Sequence, residues 1–171
     1  PGFHEEANVG PENFYGLLKL FSETLVLRNP KSLILRFVCF GNSAVQKRLS
    51  LTDYIKMKLT IGQQVNLFHD EFFNPLNVNT FARLVGVAIE HKLYGIFNVG
   101  SIEGLSKWEF GIRVAKHFGL DPSLINAVSY SSNLERVAPR ARDSRLSVSK
   151  LASHLSPDTT MPTIDEEICK L

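Results

Sequence analysis

The chain has 171 residues, of which 44% are hydrophobic and 21% charged, with a formal net charge of +2. This composition is typical of a globular domain, and the charge is too small to indicate a nucleic-acid or membrane-surface partner. No apolar run reaches the roughly 18 residues that a membrane span needs, and residues 1–6 lack the pattern of a signal peptide. We therefore expect a cytoplasmic protein that binds neither nucleic acid nor membrane.

The cysteines and acidic residues give no sign of a metal site. Cys39 and Cys169 lie far apart, each in an apolar stretch, and no histidines cluster near them at ligand spacing. We expect two reduced, buried thiols, which fits a reducing compartment. Asp70 and Glu71 are neighbours in a predicted loop, where isolated acidic residues are mostly solvated, so we predict no metal.

Apolar periodicity and capping signals predict alternating helices and strands. In chain order they indicate an acidic loop (1–12), a helix (13–27), a buried strand (32–37), a helix (50–62), a strand (65–68), a loop (69–79), a helix (80–91), a strand (95–100), a helix (106–119) and a short helix from residue 163. Strands that alternate with helices predict an α/β fold. The three or four strands visible are few for a complete doubly wound sheet.

Tyr15 and Lys19 stand four residues apart in the first predicted helix and therefore share one of its faces. A free tyrosine has a pKa of about 10 and is a poor base at pH 7, but a neighbouring ammonium favours the phenolate. The pair thus suits proton transfer near neutral pH.

The spacing alone is weak evidence, because Tyr54 and Lys58 repeat it in the second predicted helix. There we expect a solvated stripe beside a core face. The first pair has a more informative setting, in an apolar helix that leads into a buried strand. Gly16 costs a helix about 1 kcal/mol, so its place in the first turn suggests that another group approaches closely there.

The motif Pro11-Glu12-Asn13-Phe14-Tyr15-Gly16-Leu17-Leu18-Lys19, followed by Glu23, resembles the catalytic helix of extended short-chain dehydrogenase/reductases. More narrowly, it is similar to that of the dTDP-4-dehydrorhamnose reductase group of sugar-nucleotide reductases. Further resemblances follow in the family's order, at residues 35–41, 68–76, 95–100, 105–110 and 138–147. The resemblance implies the C-terminal part of an NAD(P)-binding Rossmann-like sheet with a small α/β substrate-binding lobe.

The resemblance also implies residues that would act on the cofactor side. Tyr15 would donate a proton to a carbonyl oxygen as hydride arrives from NADPH or NADH. Lys19 would support Tyr15 and hold the ribose hydroxyls of the cofactor. Val38, Cys39 and Phe40 would lie beside the nicotinamide and contact it largely through backbone atoms.

On the substrate side, Asn74 and Pro75 would help to shape the nucleotide-sugar site. Arg140 would be a candidate for the diphosphate, because a guanidinium can meet two phosphate oxygens at once. The residues themselves leave alternatives open. A solvated basic face is the default for the cluster of Arg140 with Arg136, Arg142 and Arg145, and Arg36 is expected to pair with a carboxylate. No aromatic residues interleave the arginines, which disfavours nucleic acid.

The sequence contains no Gly-x-x-Gly-x-x-Gly or Gly-x-Gly-x-x-Gly turn, which a dinucleotide diphosphate needs. The family's catalytic serine or threonine, which precedes the tyrosine, also has no counterpart. We therefore expect residues 1–171 to be the C-terminal half of a reductase of nucleotide-linked 4-keto sugars, in nucleotide-sugar and cell-surface polysaccharide biosynthesis. The N-terminal half would be its partner, a homodimer is left open, and this chain alone would be inactive. The alternatives are a non-catalytic regulatory subunit of the same superfamily, or an epimerase or dehydratase relative.

Overall fold

The computed structural model describes residues 2–43, 49–132, 139–155 and 160–171. Within them the helices are α1 (Phe14–Val26), α2 (Leu51–Thr60), α3 (Val78–Glu90), α4 (Lys107–His117), α5 (Ser149–Ala152) and α6 (Ile164–Ile168). The strands are β1 (Leu33–Phe37), β2 (Cys39–Phe40), β3 (Val65–Phe68), β4 (Phe72–Phe73), β5 (Leu76–Asn77), β6 (Gly95–Val99), β7 (Leu105–Ser106) and β8 (Ile125–Val128).

The strands pair in twos. β1 runs parallel to β6, with Leu33 opposite Gly95 and Phe37 opposite Val99. β2 with β5 and β3 with β8 are also parallel, whereas β4 and β7 are antiparallel. Parallel pairs connected through helices define an α/β fold, as the alternation of predicted elements indicated.

Two clusters of buried hydrophobic side chains stabilise this arrangement. The first joins α2, α4 and α6 to β3 and β8 and includes Phe110, whose ring meets the rings of Phe40 and Phe73 edge-on. Such aromatic pairs contribute about 0.5–1.5 kcal/mol beyond their buried area. The second cluster packs β6 against α3 and α5, through Leu76, Leu84, Phe97, Val99, Leu151 and Met161.

A buried carboxylate fixes the last helix to the start of α3. Glu167 accepts hydrogen bonds from the backbone N–H of Asn77 at 2.6 Å and from the hydroxyl of Thr80 at 2.9 Å. The ammonium of Lys170 contacts the same carboxylate. Because an unpaired buried charge is strongly unfavourable, these donors are what allow Glu167 to stay inside.

The helix starts predicted from capping signals are confirmed. Asn13 caps α1, and Ser50, Ser106 and Thr163 begin α2, α4 and α6 with reciprocal capping boxes. The third helix starts two residues earlier than predicted, because Asn77 is its cap.

The prediction that residues 69–79 form a loop was wrong in part. It contains β4, β5 and the first residues of α3. Strands of two residues are too short to show a period of two in the sequence, and β8 was missed as well. The short strands raise the number of observed strands above the three or four predicted.

Two burial predictions were also wrong. Cys39 and Cys169 are free but exposed, since Cys39 alternates with the inward-facing Phe40 on β2 and Cys169 follows the last turn of α6. Glu71, expected in solvent, is buried.

No helix in the described part of the chain is long and apolar enough to cross a membrane.

Helix α1 presents apolar side chains to solvent. At 3.6 residues per turn, Phe14, Leu17, Leu18, Phe21 and Leu25 form one stripe, called here the outer face of α1. Their exposed fractions run from 48% for Leu18 to 72% for Phe14, and α1 has no buried residue. A continuous exposed apolar stripe is uncommon on a monomeric protein surface and is a candidate contact surface.

Candidate functional site

Asn13 sets the beginning of the helix that carries the predicted catalytic pair. Its side-chain Oδ1 accepts a hydrogen bond from the backbone N–H of Gly16 at 2.8 Å. A Cβ at Gly16 would lie 3.2 Å from Cβ of Pro11, so the group that approaches this glycine belongs to the chain itself. The close approach predicted from Gly16 is thus explained by the segment before the helix rather than by a ligand.

Tyr15 and Lys19 lie on successive turns of α1, and both are exposed, Tyr15 with 70% of its surface. Lys19 Nζ is 5.4 Å from the centroid of the Tyr15 ring. A cation at that distance from an aromatic face is attracted to it. The second pair differs, since Lys58 donates to Gln63 Oε1 at 2.7 Å, and Tyr54 flanks a core face as predicted.

The inner face of α1 is tied to β1 by an ion pair. Arg36 donates from Nε and Nη2 to Glu23 at 2.9 and 2.6 Å. These bonds raise the pKa of Arg36 above its usual value, against the opposing effect of burial. Pairing of Arg36 with a carboxylate is confirmed. Glu23 stands one turn after Lys19, and its engagement with Arg36 leaves the charge of Lys19 available to Tyr15 or to a ligand.

The predicted cofactor-side strand follows β1 directly. The Val38 carbonyl accepts a hydrogen bond from the Leu76 N–H at 3.0 Å, and Cys39 and Phe40 pair with Leu76 and Asn77. The Phe40 ring is part of the core. Any contact of Phe40 with a nicotinamide would therefore have to use backbone atoms, as the prediction stated, and that contact stays a prediction.

Asn74 and Pro75 are buried between β4 and β5. The Asn74 amide donates to the carbonyls of Ser101 at 3.0 Å and Leu146 at 2.8 Å, and its Oδ1 accepts from Leu146 N at 2.9 Å. Asn74 therefore holds Leu146 in place, and its predicted effect on the site would be indirect.

Arg140 lies at the start of the segment that contains Leu146, here called the arginine segment (residues 139–147). Its backbone N–H donates to the hydroxyl of Tyr130 at 2.8 Å, and the Pro139 carbonyl accepts from Asn13 Nδ2 at 2.7 Å. The guanidinium of Arg142 lies 5.2 Å from the centroid of the Tyr130 ring. Arg136 lies outside the described residues, so the predicted cluster is seen only in part.

Two adjoining cavities connect the helix with the arginine segment. One of about 440 Å³ is lined by Lys19, Glu23 and Arg36, and the other, of about 450 Å³, by Tyr130, Arg140 and Arg142. They share four lining residues, namely Phe3 and Glu12, which precede α1, and Ala141 and Asp143 of the arginine segment. Together they form one groove with a lysine at one end and arginines at the other, in the size range of small-molecule sites.

Sequence reasoning did not single out Tyr130 or the amide of Asn13 as site residues. Their contacts join positions far apart in the sequence, and local patterns carry no signal for such pairs. Among the described residues, no group of three or more histidine, cysteine or acidic side chains could hold a metal ion.

The parallel strand pairs and their connecting helices define a Rossmann-like α/β protein with one groove of ligand size. The family model described as the RmlD substrate binding domain matches residues 1–164, so the chain belongs to that family. It is 29% identical over 174 residues to the probable low-salt glycan biosynthesis reductase Agl14 of Haloferax volcanii, covering 99% of this chain and 57% of that protein.

Solved structures show the same likeness. A hypothetical dTDP-4-dehydrorhamnose reductase from Sulfolobus tokodaii matches with 28% identity and a TM-score of 0.80, over 96% of this chain and 56% of that one. The fold also matches a dTDP-4-dehydrorhamnose reductase of Bacillus anthracis in complex with NADP, with 20% identity and a TM-score of 0.82, over 99% and 58%. The chain thus spans a little over half the length of these relatives.

Proposed function

We propose that this chain is the C-terminal part of an NAD(P)H-dependent reductase of nucleotide-linked 4-keto sugars, acting in glycan biosynthesis. The groove that joins Lys19 to Arg140 carries the proposal, and Tyr15 lies outside its lining on the same helix as Lys19. Membership of the family and the names of the relatives, one a glycan biosynthesis reductase and others dTDP-4-dehydrorhamnose reductases, support it. The substrate lobe and the last Rossmann strands would be interleaved along residues 1–171.

The chain's own residues divide the work between α1 and the arginine segment. Tyr15 donates its phenolic proton to the substrate oxygen, and Lys19 stabilises the phenolate that remains. Arg140 holds the diphosphate, because its guanidinium has no hydrogen-bond or ion-pair partner among the described residues and lines the groove. NADPH or NADH supplies the hydride when bound.

The residues present fit one side of such a cofactor. Tyr15 and Lys19 are exposed beside the outer face of α1, where a ribose can reach both side chains. Val38, Cys39 and Phe40 offer backbone atoms just beyond the end of β1. The phosphate-binding turn would come from the N-terminal half, and its absence from this sequence is why residues 1–171 alone are proposed to be inactive.

Replacing Tyr15 with phenylalanine in the full-length protein tests the proposal. The variant should lose at least about 99% of NADPH-dependent reduction of dTDP- or UDP-linked 4-keto sugars, a loss typical for a general acid, while NADPH affinity changes less than about twofold. Tyr54→Phe, in the second tyrosine–lysine pair, is the matched control and should keep full activity. An active Tyr15→Phe variant would contradict the proposal. Ligand binding without turnover by the wild type would favour the regulatory alternative.

A further inference from the structure

Asn13 uses both ends of its side-chain amide, and one of its two partners, Pro139, lies 126 residues away in the chain. Oδ1 accepts from Gly16 N at 2.8 Å, within the first turn of α1. Nδ2 donates to the Pro139 carbonyl at 2.7 Å, at the start of the arginine segment. One planar group therefore fixes the beginning of α1 and the beginning of the arginine segment relative to each other.

Each of these bonds lies next to a residue of the proposed chemistry. Tyr15 comes two residues after Asn13, and Arg140 directly follows Pro139. Arg140 is held on its other side by the bond from its N–H to the Tyr130 hydroxyl at 2.8 Å. Asn13 itself does not line either cavity, and both ends of its amide are bonded to the chain's own backbone.

We infer that Asn13 is a positioning residue that sets the arginine segment against the catalytic helix, so that Arg140 holds a nucleoside diphosphate at the correct distance from Tyr15. The inference rests on the proposed function, in which Arg140 binds the diphosphate. The amide nitrogen of Asn13 performs this task, while its oxygen performs the separate task of capping α1. The two tasks can be separated by substitution.

Asn13→Ser separates them in the full-length protein. Serine caps helices about as well as asparagine, but it lacks the separate amide nitrogen that donates to Pro139. Asn29→Ser is the matched control, because Asn29 Oδ1 likewise accepts from a local N–H, that of Lys31 at 3.0 Å, and its amide nitrogen has no partner among the described residues. Both variants should melt within a few degrees of the wild type.

Three measurements then distinguish positioning from a structural effect. Amide hydrogen exchange at residues 140–142 should become faster in Asn13→Ser, while exchange in α1 stays unchanged. The dissociation constant for dTDP or UDP should rise about three- to tenfold, the effect of losing one hydrogen bond, while NADPH affinity stays the same. The ratio kcat/KM for the keto-sugar nucleotide should fall by at least the same factor, and Asn29→Ser should change none of the three.

Failure of the inference and failure of the proposed function give different results. Unchanged exchange at residues 140–142 and unchanged affinity for dTDP and UDP in Asn13→Ser would overturn the inference, whatever the activity. A wild type that binds dTDP or UDP but reduces no keto-sugar nucleotide would overturn the reductase proposal, and the affinity ratio of the two variants would still decide the inference. A wild type that binds neither nucleotide would overturn both.

Discussion

Arg36 and Glu23 form a two-bond ion pair that joins β1 to the inner face of α1, with side chains that are only 20% and 19% exposed. The Arg36 guanidinium also donates to the Glu5 carbonyl at 3.2 Å. One side chain thus holds α1 and the N-terminal segment on the same strand. The pair is therefore a largely buried ion pair at the wall of the groove rather than a surface contact.

Glu23→Gln should therefore lower the free energy of unfolding by about 2 kcal/mol, because it leaves a largely buried guanidinium with a weaker acceptor. Urea unfolding measures the change. Asp165→Asn, which weakens the more exposed contact of Asp165 with Arg113, should cost less than about 1 kcal/mol. Equal losses in the two variants would contradict a special role for the Arg36–Glu23 pair.

Arg140→Ala in the full-length protein should raise the dissociation constant for dTDP or UDP by about 10- to 100-fold, the usual effect of losing a charge-assisted bond. The effect should shrink as the salt concentration rises, because an exposed guanidinium is screened. Calorimetric titration at two salt concentrations is the measurement. Arg83→Ala, an exposed position on α3, controls for net charge. Equal affinities for the Arg140 and Arg83 variants would exclude Arg140 from the diphosphate site.

Phe21→Glu should act in opposite directions on the isolated chain and on the full-length protein. Phe21 is 60% exposed on the outer face of α1, so glutamate should make residues 1–171 more soluble. If the N-terminal half covers this face, the same change should destabilise the longer protein by at least about 2 kcal/mol. Solubility of the short chain and thermal unfolding of the long one give the two results.

The control for that experiment is Ile61→Glu, which changes an equally exposed apolar residue at the end of α2. It should leave the stability of the longer protein almost unchanged. A long protein that tolerates Phe21→Glu as well as Ile61→Glu would show that the outer face of α1 stays uncovered.

Asp143→Asn should lower stability in a pH-dependent way. The hydrogen bonds from Arg145, at 2.9 and 2.6 Å, hold the pKa of Asp143 below its usual value, although burial acts in the other direction. A depressed folded-state pKa contributes stability above the unfolded value of about 3.9, and this stability is lost as the pH falls through the folded-state pKa. Because the pair is partly exposed, the contribution should not exceed about 1 kcal/mol.

Unfolding of wild type and Asp143→Asn should therefore differ most between about pH 5 and pH 7 and converge as the pH falls below about 4. Glu90→Gln, at the exposed end of α3, is the comparison variant. A difference between wild type and Asp143→Asn that stays constant down to pH 2.5 would contradict the assignment of this stability to the Arg145 contact.

Local signals predicted the scaffold well where they were strong. The caps at Asn13, Ser50, Ser106 and Thr163 and the strands starting near Leu33, Val65 and Gly95 were all confirmed, because capping chemistry and apolar runs act over a few residues. The two-residue strands were missed because they form only through their partners. Cys39 was placed inside because its neighbours are apolar, but alternation on β2 turns it outward and turns Phe40 inward.

For the candidate site too, local features were predicted and long-range contacts were not. The Tyr15–Lys19 pair lies within one helix, so its spacing and setting predicted its geometry. The connection from Asn13 to Pro139 and the hydroxyl of Tyr130 under Arg140 join distant segments, and only the folded chain brings them together. The chemical and binding roles of all the predicted site residues stay predictions, namely those of Tyr15, Lys19, Val38, Cys39, Phe40, Asn74, Pro75 and Arg140.

The Asn74 side chain donates to the Leu146 carbonyl and accepts from the Leu146 N–H, as the backbone of a neighbouring strand would. A Cβ at Gly100 would come within 2.6 Å of the Asn74 amide nitrogen, so the position before Ser101 has to stay small for this to work. The stretch from Pro139 to Leu146 is therefore held at both ends by side-chain amides, that of Asn13 at Pro139 and that of Asn74 at Leu146. Both amides bond backbone atoms of this stretch, so the side chains of residues 140–145 can change without loss of either attachment.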